Sequence, residues 1–287
     1  MKNRLMQLQT LAAQCCTPHL NTAACVTFNR TRLNHSNWGD ELNYYFLSRL
    51  FRRKVCIADY SWLCRFGMQR SFLIIGSTIS LKCTSRTTIW GAGFISDSAG
   101  LPAAPEKVLA VRGPHTRARL LALGIECPAV YGDPALLLPL VYRPRGVRKT
   151  ARIGLIPHYT DEKSADVQRY LLFHPHTKLI RLNHYQCWTD VIDAICSCDA
   201  IISTSLHGLI AAEAYGIPNV RAVISGNRII GGDFKFRDFF DSIGRSSAEP
   251  VPLCRAEAAL ALWTPGQWDA AALIHSAPFP IYSCNEN

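Results

Sequence analysis

No apolar run in the sequence approaches the ~18 residues that a membrane-spanning helix needs. The opening stretch "MKNRLMQLQTLAAQCC" carries Lys2 and Arg4, but glutamines interrupt the apolar segment that a signal peptide requires. The expected location is cytoplasmic, with or without peripheral contact at the inner face of a membrane. The cysteines include no CxxC pair. Their only close groups, Cys15-Cys16 and Cys196-x-Cys198, match no zinc spacing. No metal is expected, and the thiols read as reduced and mostly buried. Low-complexity tracts and short repeats are missing too. With 48% apolar and only 18% charged residues, the composition excludes a largely disordered chain.

Acidic residues are the scarcer sign: 21 Asp and Glu against 31 Lys and Arg leave a formal charge of +10. The basic residues are dispersed, apart from Arg52-Arg53-Lys54 and the stretch from Arg143 to Arg152. A nucleic-acid binder would concentrate them on one face and interleave exposed aromatics. No nucleic-acid partner is therefore expected, and an anionic small substrate or an acidic polymer fits the charge as well.

A chain of 287 residues suits two domains of moderate size. Residues 24–28, "ACVTF", read as a strand. Asp40 to Phe51 read as a helix, because Leu42, Tyr45, Phe46 and Leu50 recur at helical spacing and the charges at both ends suit the helix dipole. "SFLIIGS", "TTIWGAGFI" and "EKVLAVRG" read as strands running into turns. Pro114 to Leu123 reads as a short helix with Gly124 just past its end. Strand-like "CPAVYGDPALLLP" closes this half. The basic, core-poor residues 141–152 read as a linker. Beyond it "RIGLIPHY" predicts a strand, 161–172 a helix, "KLIRLN" a strand, Trp188 to Cys196 a helix, 199–203 a strand, 207–215 a helix and "PNVRAVI" a strand. The carboxyl-terminal stretch reads as two helical pieces that pack across the halves without direct chemistry. Strands alternating with helices through short loops argue for parallel sheets covered on both faces. The expected fold class is therefore α/β, with two Rossmann-like domains, residues 1–142 and 143–287, facing across a cleft. In such sheets ligands lie beyond the carboxyl ends of the strands.

The strand-to-helix turns carry the candidate chemistry. In "STSLHG", Ser203, Thr204 and Ser205 stand before a helix that begins near His207. One hydroxyl could cap that helix, and its free N–H groups suit an anion. Gly208 would let a ligand approach the backbone. In "NHSNWGDEL", Asn37 and Asp40 flank a turn, with Asp40 either a cap or a general base. Arg112, at a strand end in "AVRGP", could fork onto a phosphate or carboxylate or form a salt bridge. "WGAGF" has too few glycines for a dinucleotide fingerprint, and its Gly91 is a candidate substrate-binding residue instead. Asp133 could brace the domain boundary or act. His158 ends the first strand of the second half, on the same edge as His207.

In order along the chain, "NWGDEL", "IIGS", "IWGAGF", "VRGPHTRARLLALGI", "YGDPALLLP", "IGLIPHY" and "IISTSLHGLIAAEAYGIP" resemble the polysaccharide pyruvyl transferase family over about residues 25 to 240. The resemblance implies a fold like that of GT-B glycosyltransferases, with the first half on the acceptor side and the second on the donor side. It implies transfer of a pyruvyl group from phosphoenolpyruvate to a sugar, giving a ketal on a cell-envelope polysaccharide or its lipid-linked precursor, with no cofactor. His207 would be the acid or phosphate partner, and Asp40 would orient or deprotonate the acceptor hydroxyl. Arg112, His158 and the hydroxyls would hold the donor. Many members carry arginine where this chain has Ser205; Lys235 or Arg237, in a neighbouring loop, would then supply the charge. The competing readings are a nucleotide-sugar glycosyltransferase, with Glu213 as the available acid, and a non-catalytic glycan-binding member.

Overall fold

The structure, a computed structural model, describes residues 2–29, 31–224, 232–245 and 249–284. It is a mixed α/β arrangement with two five-stranded parallel sheets. The first contains β1 (His19–Thr22), β4 (Lys54–Ile57), β5 (Ser71–Leu73), β6 (Thr87–Trp90) and β7 (Lys107–Ala110) in the order β4-β1-β5-β6-β7. Between β1 and β4, β2 (Phe28–Asn29) and β3 (Arg32–Leu33) pair as an antiparallel hairpin. The second sheet contains β8 (Ala151–Ile156), β9 (Thr177–Leu179), β10 (Cys198–Ser203), β11 (Asn219–Val223) and β12 (Val251–Pro252) in the order β12-β11-β10-β8-β9.

Burial explains why the strands read as near-continuous apolar runs. β6 is buried along its whole length, and β8 and β10 end in four and three buried residues, as parallel strands covered on both faces require. One apolar cluster runs from Leu20, Phe46 and Trp90 of the first half to Ile156, Ile201 and Leu209 of the second. Within residues 141–152, Val141 ends the helix Leu138–Val141 and Ala151 and Arg152 begin β8, while residues 142–150 form no helix or strand and none of them is buried. The chain end returns to the first sheet. Trp90 Nε1 donates to the Leu273 carbonyl (3.1 Å), Tyr282 N to Leu50 O (2.9 Å) and Cys284 N to Leu140 O (2.7 Å).

Four local expectations need correction. The first core strand is His19–Thr22 rather than residues 24–28. Its polar residues hide it, yet they are buried and paired: Gln14 Nε2 donates to Asn21 Oδ1 (2.6 Å) and Asn21 Nδ2 to Arg70 O (3.1 Å). Residues 23–27 instead form the turn at its carboxyl end. The ambiguous opening is a helix, Lys2–Cys16. "CPAVYGDPALLLP" contributes only a single bridge, Val111 to Tyr131, before Asp133 caps the 3-10 turn Pro134–Leu137. Proline fixes φ and lacks an N–H, so it starts helical turns better than it continues a ladder. "FKFRDFFDS" is a helix, Phe234–Ser242, and not a loop.

This helix lies against the helix Pro114–Ala122, and the contact leaves no room at Gly113. A Cβ there would overlap the main-chain carbonyl of Asp238. Backbone cannot move aside as a flexible side chain can, so Gly113→Ala is expected to cost about 1–3 kcal/mol through overpacking. Urea unfolding should show a lower midpoint at an unchanged slope; an unchanged midpoint would show that the two helices can separate freely.

Candidate active site

The turns beyond the carboxyl ends of β1, β5, β8 and β10 converge with the first turns of two helices, Trp38–Leu50 and Phe234–Ser242, on a cleft of about 240 Å³. Of the residues expected from sequence, Asn37, Asp40, His158, Ser205, His207 and Lys235 line it.

Asp40 sits on the first turn of the helix Trp38–Leu50 but does not cap it. Asn37, at the cap position, donates from Nδ2 to Asp40 Oδ2 at 2.7 Å. Burial and the neighbouring Glu41 carboxylate push Asp40 up to about 7, against the pull of Lys235. The segment after β9 clamps this turn. Leu182 O accepts from Trp38 N and Trp188 O from Trp38 Nε1, both at 2.7 Å. Buried Glu41 accepts from the Ser36 amide (2.8 Å) and from the Tyr185 hydroxyl. The orientation of Asp40 thus depends on residues from the other half of the chain, which no local pattern announces.

His207 lies on the first turn of the helix Leu206–Ala214. Its Nε2 is buried with no hydrogen-bond partner among the described residues. Desolvation, then the charges of Lys235 and Arg112 and the nearby His158, hold its pKa down to about 3. The ring is therefore neutral at pH 7 and offers an N–H or a lone pair, not the ready proton of an imidazolium. Gly39 makes its position possible, because a Cβ there would overlap the imidazole. His158 borders the same space, its Nδ1 2.7 Å from Thr160 Oγ1, and burial with the Lys235 charge lowers its pKa. Lys235 enters from the first turn of the helix Phe234–Ser242. Desolvation and the charges of Arg112 and Arg221 bring its ammonium down to about 8. Its Nζ lies 5.4 Å from the centroid of Phe236, and no described residue forms an ion pair with it.

Five expected ligands are not in the cleft. Arg112 is fully buried behind it, with Nε on Asp238 Oδ2 (3.0 Å), Nη1 on Ser77 Oγ (2.7 Å) and Nη2 on Phe94 O (2.7 Å). Each of its three nitrogens donates within the fold, so it acts on the cleft through its charge and through Ser77. Ser203 Oγ donates to Ile156 O (3.0 Å) and accepts from Ser205 N (3.0 Å). Thr204 Oγ1 donates to Asp161 Oδ2 (2.6 Å) and accepts from His158 N (2.8 Å), so it positions the His158 turn. A Cβ on Gly208 would meet Ser203 Oγ at 2.7 Å and Ile156 Cγ2 at 2.9 Å; this glycine serves helix-on-sheet packing, not ligand approach. Gly91, at φ +89°, abuts Pro134. Arg237 likewise does not line the cleft. Sequence reasoning missed Gly76, Ser77 and Thr78 as lining residues, although "IIGS" marked their turn.

Among the described residues no group of His, Cys, Asp and Glu is placed to hold a metal ion, and no helix is long and apolar enough to cross a membrane. Among the described residues the cleft joins the Lys235 ammonium, the imidazoles of His158 and His207, the latter neutral and with no partner for Nε2, and the carboxyls of Asp40 and Asp133, both raised to about 7. Such a set can hold an anion and move protons.

The chain matches the family model for polysaccharide pyruvyl transferase over residues 42–225. The chain belongs to this family. Its members are transferases, and the match covers Arg112, His158 and His207 but not Asn37, Asp40 or Lys235. The succinoglycan biosynthesis protein ExoV of Rhizobium meliloti (strain 1021) is 27% identical over 235 residues, 78% of this chain and 67% of that protein. The uncharacterized protein L143 of Acanthamoeba polyphaga mimivirus is 26% identical over 211 residues, 72% of this chain and 71% of that protein. No solved structure matches at a significant level.

Proposed function

We propose that the protein transfers a pyruvyl group from phosphoenolpyruvate to two hydroxyls of one sugar, forming a ketal on an exopolysaccharide, a lipopolysaccharide or a lipid-linked precursor. Family membership and the resemblance to a succinoglycan biosynthesis protein support the reaction class. The observation that carries the reading to this cleft is the pairing of Lys235 and the unpartnered Nε2 of His207 with Asp40. Lys235 and the amino-terminal turn of the helix Leu206–Ala214 would attract the donor's phosphate and carboxylate. Lys235 would stand in for the arginine that many members carry at the position of Ser205, and the donor's negative charge would make His207 more basic on binding. Asp40 in its ionised form would take the proton of the attacking hydroxyl. In this reading the two sheets belong to Rossmann-like units in a GT-B-like arrangement, the first on the acceptor side and the second on the donor side. The protein would work in the cytoplasm, without a metal or cofactor.

The nucleotide-sugar reading loses its acid. Glu213 is tied to Arg245 and accepts from Asn219 Nδ2 (2.9 Å), Trp263 Nε1 (3.2 Å) and Gly266 N (3.2 Å). Phosphoenolpyruvate at about 100 times its Kd is expected to raise stability by about 2.7 kcal/mol, whereas a nucleotide sugar should leave Tm unchanged. Incubation with phosphoenolpyruvate and candidate lipid-linked oligosaccharides should release phosphate and add one pyruvyl ketal by mass spectrometry. Protection by nucleotide sugars alone, with no ketal formed, would overturn the proposal.

A further inference from the structure

Asp133 is 1% exposed, yet it borders the same cleft as Asp40, His207 and Lys235. Its Oδ1 accepts the Ala135 amide at 3.0 Å and caps the following 3-10 turn. Its Oδ2 is buried and accepts no hydrogen bond from any described residue. The Arg112 guanidinium influences it electrostatically but donates to Asp238, Ser77 and Phe94 rather than to Oδ2. A carboxylate buried without donors for one oxygen is costly, whereas a carboxylic acid is a neutral hydrogen-bond donor. Capping alone needs only Oδ1, which an asparagine would also supply. Oδ2 therefore calls for a role in the cleft.

We propose that Asp133 is a further catalytic residue, the buried acid whose Oδ2 proton is delivered to the methylene carbon of the enolpyruvyl donor. This rests on the pyruvyl-transfer reading above. Burial, with the Asp238 charge adding to it, pushes the Asp133 carboxyl up to about 7, so the proton is present near neutrality. The rival sources are less suited. His207 is neutral, and Asp40 is engaged by Asn37 and faces the acceptor chemistry.

The protons balance over one turnover. The π pair of the donor's C=C forms the new C–H bond with the Asp133 proton, and the phosphate-bearing carbon becomes an oxocarbenium centre. The first acceptor hydroxyl oxygen bonds to that carbon, and its proton passes to Asp40. Phosphate then leaves with the C–O bonding pair and takes the proton held by Asp40. The second hydroxyl attacks, and its proton returns to the Asp133 carboxylate. Asp133 ends protonated and Asp40 ionised, as they began.

Asp133→Asn keeps an oxygen for the Ala135 amide and is expected to fold with a near-unchanged Tm. Infrared difference spectra of wild type against Asp133→Asn, without substrate at neutral pH, should show the carbonyl band of a protonated carboxylic acid in wild type only. With phosphoenolpyruvate and the ketal-accepting glycan, kcat of the variant should fall by about a hundredfold or more, with KM nearly unchanged. In D2O, wild type should place deuterium in the pyruvyl methyl group. A variant with wild-type kcat, or a wild type that forms the ketal without the infrared band, overturns the role of Asp133 alone. A wild type that shows the band but forms no ketal overturns the reaction assignment, and the acid role with it.

Discussion

Asp40→Asn is expected to be far less active than wild type and, above neutral pH, more stable. Both effects come from the same burial. The folded environment raises the Asp40 pKa from its ordinary value of 3.8 to about 7. Its proton is thus bound more tightly in the folded chain than in the unfolded one. The stability contributed by the protonated carboxyl is fully present below the unfolded pKa and is lost as pH rises through about 7. Asparagine carries no such dependence. Relative to Asp40→Asn, wild type should lose roughly 2–4 kcal/mol between about pH 4 and pH 8. Turnover should fall by about 10²–10⁴-fold, the usual contribution of a positioned base. The wild-type kcat/KM profile should be a bell centred near 7, rising as Asp40 ionises and falling as Asp133 loses its proton, with a further loss above about 8 as Lys235 loses its charge. Urea unfolding at both ends of the pH range and initial rates of phosphate release measure the two effects. A stability difference that does not change with pH would mean that Asp40 ionises normally, and unchanged turnover would remove it from the chemistry.

The second large effect lies behind the cleft. Asp238 is fully buried and accepts from Arg112 Nε (3.0 Å), Thr116 N (2.8 Å) and Thr116 Oγ1 (2.7 Å). Asp238→Ala would leave a buried guanidinium without its counter-charge and the Thr116 amide without its acceptor. The expected cost is about 3–5 kcal/mol, a large share of the ~5–15 kcal/mol by which domains are stable. Arg112→Met with Asp238→Leu removes both charges together and should cost less than Asp238→Ala alone. Activity should fall in both variants. In both, Lys235, on the helix that carries Asp238, would lose its anchor to the first half, and in the double variant Ser77 would also lose the Arg112 Nη1 donor. Guanidinium unfolding of the three proteins ranks them. An Asp238→Ala protein within 1 kcal/mol of wild type would mean that water or another carboxylate replaces the lost partner.

Much of the site was legible because strand-to-helix turns carry recognisable chemistry. His158, Ser205 and His207 each follow an apolar run and precede or open a helix, Asp40 lies in the first turn of one, and all four reach the cleft. Arg112 met the same criterion and went elsewhere. Its partner, Asp238, lies 126 residues away in a stretch read as a loop. Ser203 and Thr204 misled in a similar way, since a hydroxyl in a turn looks the same in sequence whether it faces a ligand or a neighbouring carbonyl. β1 was missed because its Asn21 and Thr22 are polar yet buried, paired with Gln14 and Asn43 from two different helices.

The sequence by itself determined the alternation of strands and helices and the family, because these depend on residues close together along the chain or in a fixed order. Tertiary structure alone decided which polar groups meet the cleft and in what charge state. Lys235 became a cleft cation because the helix Phe234–Ser242 packs on the first half, and His207 became neutral because that cation and Arg112 surround a desolvated ring. Asp133 lost donors for one oxygen as the chain closed over it. Desolvation and the Coulomb field act through space, so residues far apart in sequence set them together, and no local pattern records the result.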